Sequence, residues 1–382
     1  MAHATRYTFH WGELSRELFL REYWQKNPLL IKNAYPGFHS PLDGDELAGL
    51  SLESWPASRL VQEKQRNNSH SQWSTQHGPF TEKSFARLPS SHWTLLVQQV
   101  DQCLTEVEAL KNSIDFIPQW RCEDVMVSYA ADQGSVGPHF DYYDVFLVQG
   151  HGQRLWQLGQ HCTSSTPLLD NCDMRILKQF EAQQEYLVEA GDVLYIPPGV
   201  AHWGIAQGEC LTYSIGFRAP SHAEILLDFS AEIAAELSED LRYQDPENAV
   251  LGKNQAEIHD QTISSLSEII QRYMGDKNRL AKWFGKYMTQ QISDEESTPS
   301  CAPGIIMGAT YRLEQHCRSA YMLNEHQAKA MLFVNGQTYT LASTYAKELS
   351  LGRCIVVNDQ LDEDDIDVLK QLETNHLLSP CI

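Results

Sequence analysis

Two short segments hold residues whose types and spacing can do chemistry. In Gly137-Pro138-His139-Phe140-Asp141, just before the apolar run at 143–150, an imidazole and a carboxylate stand two residues apart. Side chains at i and i+2 of an extended chain leave from one face, so His139 and Asp141 can address a single point. A third donor must come from elsewhere. His202 is the candidate, because it closes the segment DVLYIPPGVAH, where Pro197, Pro198 and Gly199 fix the backbone just ahead of it. Two imidazoles and one carboxylate, with no thiolate, leave coordination positions open, which is the arrangement of non-heme iron(II) oxygenases. Ligand type alone leaves copper, manganese and nickel open.

Arg154 adds a second function to the same neighbourhood. It lies at the start of the β-like run QRLWQLG, read as returning after a turn at Gly150 and Gly152. A rigid guanidinium fork suits a bidentate grip on a carboxylate. An iron oxygenase that consumes an α-keto acid needs such a group for the far carboxylate of its cosubstrate. Taken alone, without the metal triad, Arg154 reads as a rim arginine in a salt bridge. Tyr142, Tyr143, Trp156, Trp203 and Tyr213 crowd the motifs and are expected mainly as barrel packing. Ser214 is a candidate lining hydroxyl.

The elements that position these groups are β-like. Runs at 123–130, 143–150, 153–159, 185–206 and 211–220 follow one another without intervening helices, which predicts a sandwich or small barrel over a doubly wound sheet. Upstream, residues 10–120 read as mainly helical, with Leu29, Leu30 and Ile31 as a short strand and 64–80 as a long loop able to cover a cleft. Downstream, helices are predicted over 221–239 and 266–289, the second with a capping box at Ser265 and Glu268. The polar segment 292–304 reads as a linker. In the last part, Asn335-Gly336 between apolar runs signals a two-residue hairpin, and helices follow near 343–350 and 363–374, the latter capped by Asp362.

GPHFDYYDVFLVQGHGQRLWQLG, then AGDVLYIPPGVAHWGI, then YSIGFRAP resemble the Jumonji-C-type ribosomal oxygenases, a branch of the cupin superfamily. The entry segment WQKNPLLIKNAYPGF belongs to the same likeness, which covers nearly the whole chain. The resemblance implies a double-stranded β-helix catalytic domain over 1–220 with an N-terminal helical extension. It further implies a helical dimerisation region and linker over 221–300, and an α+β winged-helix-like unit over 301–382. It makes His139, Asp141 and His202 the iron triad and Arg154 the residue that holds 2-oxoglutarate. The reaction it implies uses Fe(II), 2-oxoglutarate and O2, and hydroxylates an arginine side-chain carbon of a large-subunit ribosomal protein with release of succinate and CO2. A homodimer is the implied assembly. His151, between the two glycines, borders the substrate side, and substrate contacts are not carried over.

Composition bounds the alternatives. At 382 residues the chain is long enough for two or three domains, and an ordinary share of hydrophobic residues, 42%, excludes a collagen-like or wholly disordered chain. No run reaches the length of a membrane span, and the polar start lacks a signal peptide's apolar stretch, so a cytoplasmic protein without membrane contact is expected. Nine cysteines without a CxxC pair argue against a zinc ribbon, a dithiol centre or a disulfide scaffold. The formal net charge of -21 argues against wrapping nucleic acid and favours a basic protein partner. The acidic run 362–365 likewise argues against a DNA-binding winged helix and a transcription factor. The rival readings are a cupin-type iron oxygenase acting on a ribosomal histidine or a small molecule, and a non-catalytic barrel that binds protein.

Overall fold

A computed structural model describes residues 7–65, 71–170, 172–245, 256–291, 304–324 and 328–381. Two compact units divide the chain, Met1–Ala219 and Pro220–Ile382. The first contains, in order, α1 (Arg16–Glu22), β1 (Leu29–Ile31), α2 (Gly44–Leu50), β2 (Ser58–Gln65), β3 (Ser71–His77), α3 (Glu82–Phe85), β4 (Trp93–Val97), α4 (Val100–Cys103), α5 (Thr105–Asn112) and β5 (Cys122–Ala130). β6 (Asp144–His161), β7 (Gln184–Glu189), β8 (Val193–Ile196) and β9 (Val200–Phe217) complete it. The strands form one antiparallel sheet in the order β1-β8-β6-β9-β5-β4-β2-β3, with β7 also on β6. This is the double-stranded β-helix core that the resemblance implies.

Alternation sorts the side chains of that sheet into two layers. Val145, Leu147, Trp156, Leu158, Val188, Leu194 and Ile196 cluster on the inner face. Phe146, Val148, Tyr195, Tyr213, Ile215 and Phe217 face the other way and join Phe19, Tyr35 and Leu47 of the N-terminal segment in a larger core. Fully buried Asp144, at the start of β6, ties the sheet to the segment that precedes it. Its carboxylate accepts from Tyr195 Oη at 2.5 Å and Gln25 Nε2 at 3.2 Å, and pairs with Arg121 at 3.4 Å. Asp144→Ala strands these donors, and the unit is expected to lose about 3–5 kcal/mol. Urea denaturation of the two proteins checks this.

The mainly helical reading of 10–120 is corrected in part. β2 and β3 pair as a hairpin from Arg59↔His77 to Gln65↔Ser71, and β2 joins the sheet through β4. The expected loop at 64–80 is therefore largely the β3 arm of this hairpin, with residues 66–70 outside the described residues. A second correction concerns 143–159. The two predicted runs are one strand, β6, paired with β9 from Asp144↔Phe217 to His161↔Val200, and Gly150 and Gly152 mark register shifts within it rather than a reversal.

The second unit holds α6 (His222–Ala235), α7 (Asp260–Met274), α8 (Lys277–Thr289), β10 (Thr310–Leu313), β11 (Ser319–Leu323), β12 (Lys329–Val334), β13 (Gln337–Ala342), α9 (Ser343–Ser350), β14 (Ile355–Val356), α10 (Glu363–Thr374) and β15 (Leu378–Pro380). Trp283 on α8 donates to Asp228 on α6 at 2.6 Å, and Lys286 pairs with Glu232, which locks these helices side by side. Ser265 is interior to α7, whose N-cap is His259, so the expected capping box is absent; the helical run instead breaks at Gly275, and Asp276 caps α8. The Asn335-Gly336 hairpin is present, with both residues at positive φ as its two-residue turn demands. Asp362 and Asp365 form a capping box on α10 and both bind Lys329, which gives part of the acidic run a structural task. Cys354 and Cys381, 27 residues apart, form a disulfide that the cysteine spacing does not announce. The predicted linker lies outside the described residues except at its last position. Among the described residues, no helix is long and apolar enough to cross a membrane.

Candidate metal centre

His139 and His202 form an isolated antiparallel bridge. His139 N–H donates to the His202 carbonyl at 3.0 Å, His202 N–H returns to His139 at 2.8 Å, and Gly199 N–H reaches the Asp141 carbonyl at 2.8 Å. Residues 139–141 are thus held as a short extra strand against the start of β9. Gly199 sits at φ +79°, and a Cβ there would meet the His161 ring at 2.7 Å, so the Pro-Pro-Gly turn before His202 needs its glycine for both reasons.

Every predicted ligand converges. One donor atom from each of His139, Asp141 and His202 lies within 4.8 Å of the others. Asp141 Oδ2 is 3.9 Å from His139 Nε2 and 3.6 Å from His202 Nε2. Both rings are oriented by backbone: His139 Nδ1 meets the Gly137 carbonyl and His202 Nδ1 the Val200 carbonyl, each at 2.9 Å. A carbonyl only accepts, so each Nδ1 carries the proton and each Nε2 presents a lone pair toward Asp141. Burial, reinforced by His139, lowers His202 to about 4, so its ring is neutral and ligand-ready at neutral pH. The side chains of His139 and Asp141 are about one-quarter exposed, whereas His202 closes the floor. This donor set fits a divalent metal.

Arg154 reaches the same interior by way of the irregularity in β6. Odd-numbered Val145 and Leu147 face inward before it, and even-numbered Trp156 and Leu158 face inward after it. The shifts between Gln149 and Gln153 change the phase, as bulges do, and turn Arg154 inside. Gly152, at φ +64°, permits the close approach to β9, since a Cβ would lie 2.1 Å from the Glu209 carbonyl oxygen. Arg154 is only 5% exposed. Its Nη1 makes one long bond to Ser128 Oγ at 3.4 Å, and Nε and Nη2 have no partner among the described residues. An interior guanidinium with unsatisfied donors fits an anion from outside the chain.

Ser214 pairs with Met126 and Leu147 across the strands and is half-buried. Ser128, Thr212 and Gln149 escaped the sequence reading. They share one cross-strand row, with Thr212 Oγ1 bound to Gln149 at 3.0 Å, and only strand register reveals them. The aromatics divide. Trp156 and Tyr213 are buried, and Trp203 donates to Ser135 Oγ at 2.8 Å. Tyr142 and Tyr143 are instead exposed by 49% and 41% beside Asp141, in the bend that leads from the ligand segment into β6. Arg175 stacks on Tyr142 and Phe140 there.

Residues 109–225 match the JmjC domain family. The ribosomal protein uL16 3-hydroxylase of Escherichia coli K12 is 33% identical over 302 residues, spanning 78% of this chain and 76% of that one. The X-ray structure of E. coli YcfD is similar with a TM-score of 0.84 and 27% identity, covering 99% of this chain and 100% of that chain. YcfD, a ribosomal oxygenase, in complex with cobalt and 2-oxoglutarate is similar with a TM-score of 0.81 and 26% identity, over 98% and 99% of the two chains.

Proposed function

The chain belongs to the JmjC-domain ribosomal oxygenases, and we propose that it uses iron(II), 2-oxoglutarate and O2 to hydroxylate an arginine side-chain carbon of a large-subunit ribosomal protein, uL16, releasing succinate and CO2. One observation carries this reading: a triad of metal donors oriented by backbone carbonyls shares a barrel with a buried guanidinium that has no counter-anion among the described residues. His139 and His202 would hold the iron through Nε2 and Asp141 through its carboxylate. Arg154 grips the distal carboxylate of 2-oxoglutarate, and Ser214 lines the pocket. Iron, 2-oxoglutarate and O2, when bound there, would supply the oxidising power that places one oxygen atom of O2 in a C–H bond and the other in succinate. The protein's own work is positional. Asp141 offsets part of the metal's charge, His202 and Trp156 form a dry floor, and the exposed side at His139 and Asp141 admits the substrate residue.

The net charge of -21 supports a basic macromolecular substrate, whose encounter weakens as salt rises. Mass spectrometry of ribosomal proteins from cells with and without this gene tests the reading. One large-subunit peptide containing arginine should carry an extra oxygen atom only when the gene is present. Identical spectra would overturn it, and a modified histidine would select the other ribosomal substrate class. The setting for this reaction is the cytoplasm.

A homodimer through the helices after the barrel belongs to the same proposal. α7 has no buried residue among those described, and Ile263, Leu266 and Ile270 line it with 55%, 41% and 58% exposure. Such an apolar stripe is covered most simply by its own twofold copy. Sedimentation at low micromolar concentration is expected to give twice the mass of one chain. A monomer there removes the dimer and leaves the chemistry untouched.

A further inference from the structure

Beyond the irregularity in β6, Arg154 and Trp156 occupy positions i and i+2 on the inward face. Trp156 is 4% exposed, and its indole Nε1 is buried without a hydrogen-bond partner among the described residues. The indole has the guanidinium on one side, with Arg154 Cζ 5.6 Å from the ring centroid. The His202 ring lies 5.9 Å away, centroid to centroid. An indole N–H and a guanidinium can only donate. Unsatisfied donors on neighbouring inward positions therefore call for one acceptor-rich guest, because buried polar groups in folded proteins are paired almost without exception.

The ring's placement is built into the backbone. Gly204 is the cross-strand partner of Trp156 on β9, and a Cβ at Gly204 would lie 2.7, 2.8 and 2.9 Å from three ring atoms. The benzo edge therefore lies over a residue that must have no side chain. Core packing alone would not require an orphaned N–H, since phenylalanine fills such a place without one.

We infer that Trp156 is a positioning residue whose Nε1–H donates to an oxygen of the 2-oxo dicarboxylate that Arg154 holds. The inference rests on the 2-oxoglutarate reading proposed above. The indole N–H adds a second fixed donor beside the guanidinium fork, so the acid is held by two side chains on one inward face. No covalent step is assigned to the tryptophan.

Titration calorimetry of 2-oxoglutarate into the zinc-loaded full chain tests this, with Trp156→Phe, Gly204→Ala and Arg154→Met as comparisons. Trp156→Phe should bind 2-oxoglutarate roughly 10-fold more weakly, the loss of one bond to a charged acceptor, with zinc affinity unchanged. Gly204→Ala keeps the indole but displaces it, and should show the same selective loss. In 15N-labelled parent protein, the indole N–H signal missing from Trp156→Phe should move downfield on adding 2-oxoglutarate. If the parent binds 2-oxoglutarate and Arg154→Met does not, while Trp156→Phe binds like the parent and that signal stays still, Trp156 is packing only and the inference is wrong. If the parent itself fails to bind, the cosubstrate reading fails first.

Discussion

Asp141→Ala is expected to abolish turnover while the protein still folds. The aspartate supplies the only carboxylate of the triad, and its two neighbours are imidazoles whose Nδ1 atoms face backbone carbonyls. Without it, the metal's full charge faces two uncharged donors, and the site loses both a ligand and its electrostatic compensation. Losing a partner that merely orients a ligand costs about 10- to 100-fold in metal affinity, so losing the ligand itself should cost more than about 100-fold. The fold has little at stake, because the side chain is one-quarter exposed and, among the described residues, its ion-pair neighbours are the two histidines. Unfolding free energy should stay within about 0.5 kcal/mol of the parent, the usual range for a change away from the core. Anaerobic iron titration and thermal melting check both halves. A variant that keeps its iron and its turnover would show that Asp141 is not a ligand.

Arg154→Met is expected to stabilise the protein in the absence of 2-oxoglutarate and to remove its affinity for that acid. The guanidinium is interior, has one bond at 3.4 Å, and leaves Nε and Nη2 unsatisfied. Among the described residues, no carboxylate lies within ion-pair distance. Burying a charge in this way opposes folding, and an apolar side chain of similar length should recover about 1–3 kcal/mol. The gain in stability and the loss of binding have one cause, a positive charge kept for an anionic guest. Arg154→Lys retains the charge without the fork, so the 2-oxoglutarate needed for half-maximal rate should rise well before iron binding changes. Denaturant unfolding with and without 2-oxoglutarate separates these effects. A destabilised Arg154→Met protein with unchanged 2-oxoglutarate dependence would make the residue a structural salt-bridge member.

The sequence shows the chemistry of this site more clearly than the frame that carries it. His139, Asp141 and His202 announce themselves because spacing of two in an extended segment and a Pro-Pro-Gly turn are local signals, and the structure brings their donor atoms together. The Asn335-Gly336 hairpin and the Asp362 cap are legible for the same reason. β2 and β3 are not, since SRLVQEKQ and SQWSTQH carry few apolar residues and owe their strand form to partners distant in sequence. Gly150 and Gly152 look like a turn because glycine marks turns and bulges alike, and only the pairing with β9 distinguishes them. That ambiguity matters, since the phase change is what turns Arg154 inward. The Cys354–Cys381 bond depends on bringing β14 and β15 to opposite edges of β10, which cysteine spacing does not encode. The Ser128, Thr212 and Gln149 row is legible only after register is known.

Recombinant ribosomal protein uL16 incubated with the purified enzyme, iron(II), 2-oxoglutarate and O2, then digested and sequenced by mass spectrometry, joins these claims in one tube. One arginine side chain should gain the mass of one oxygen atom at a carbon position, with one succinate formed per modified arginine. Omitting any one of the three small molecules, or using His139→Ala, should leave the peptide unchanged. Succinate that accumulates while every arginine of uL16 stays unmodified would contradict the proposed substrate, and modification that proceeds without 2-oxoglutarate would contradict the chemistry.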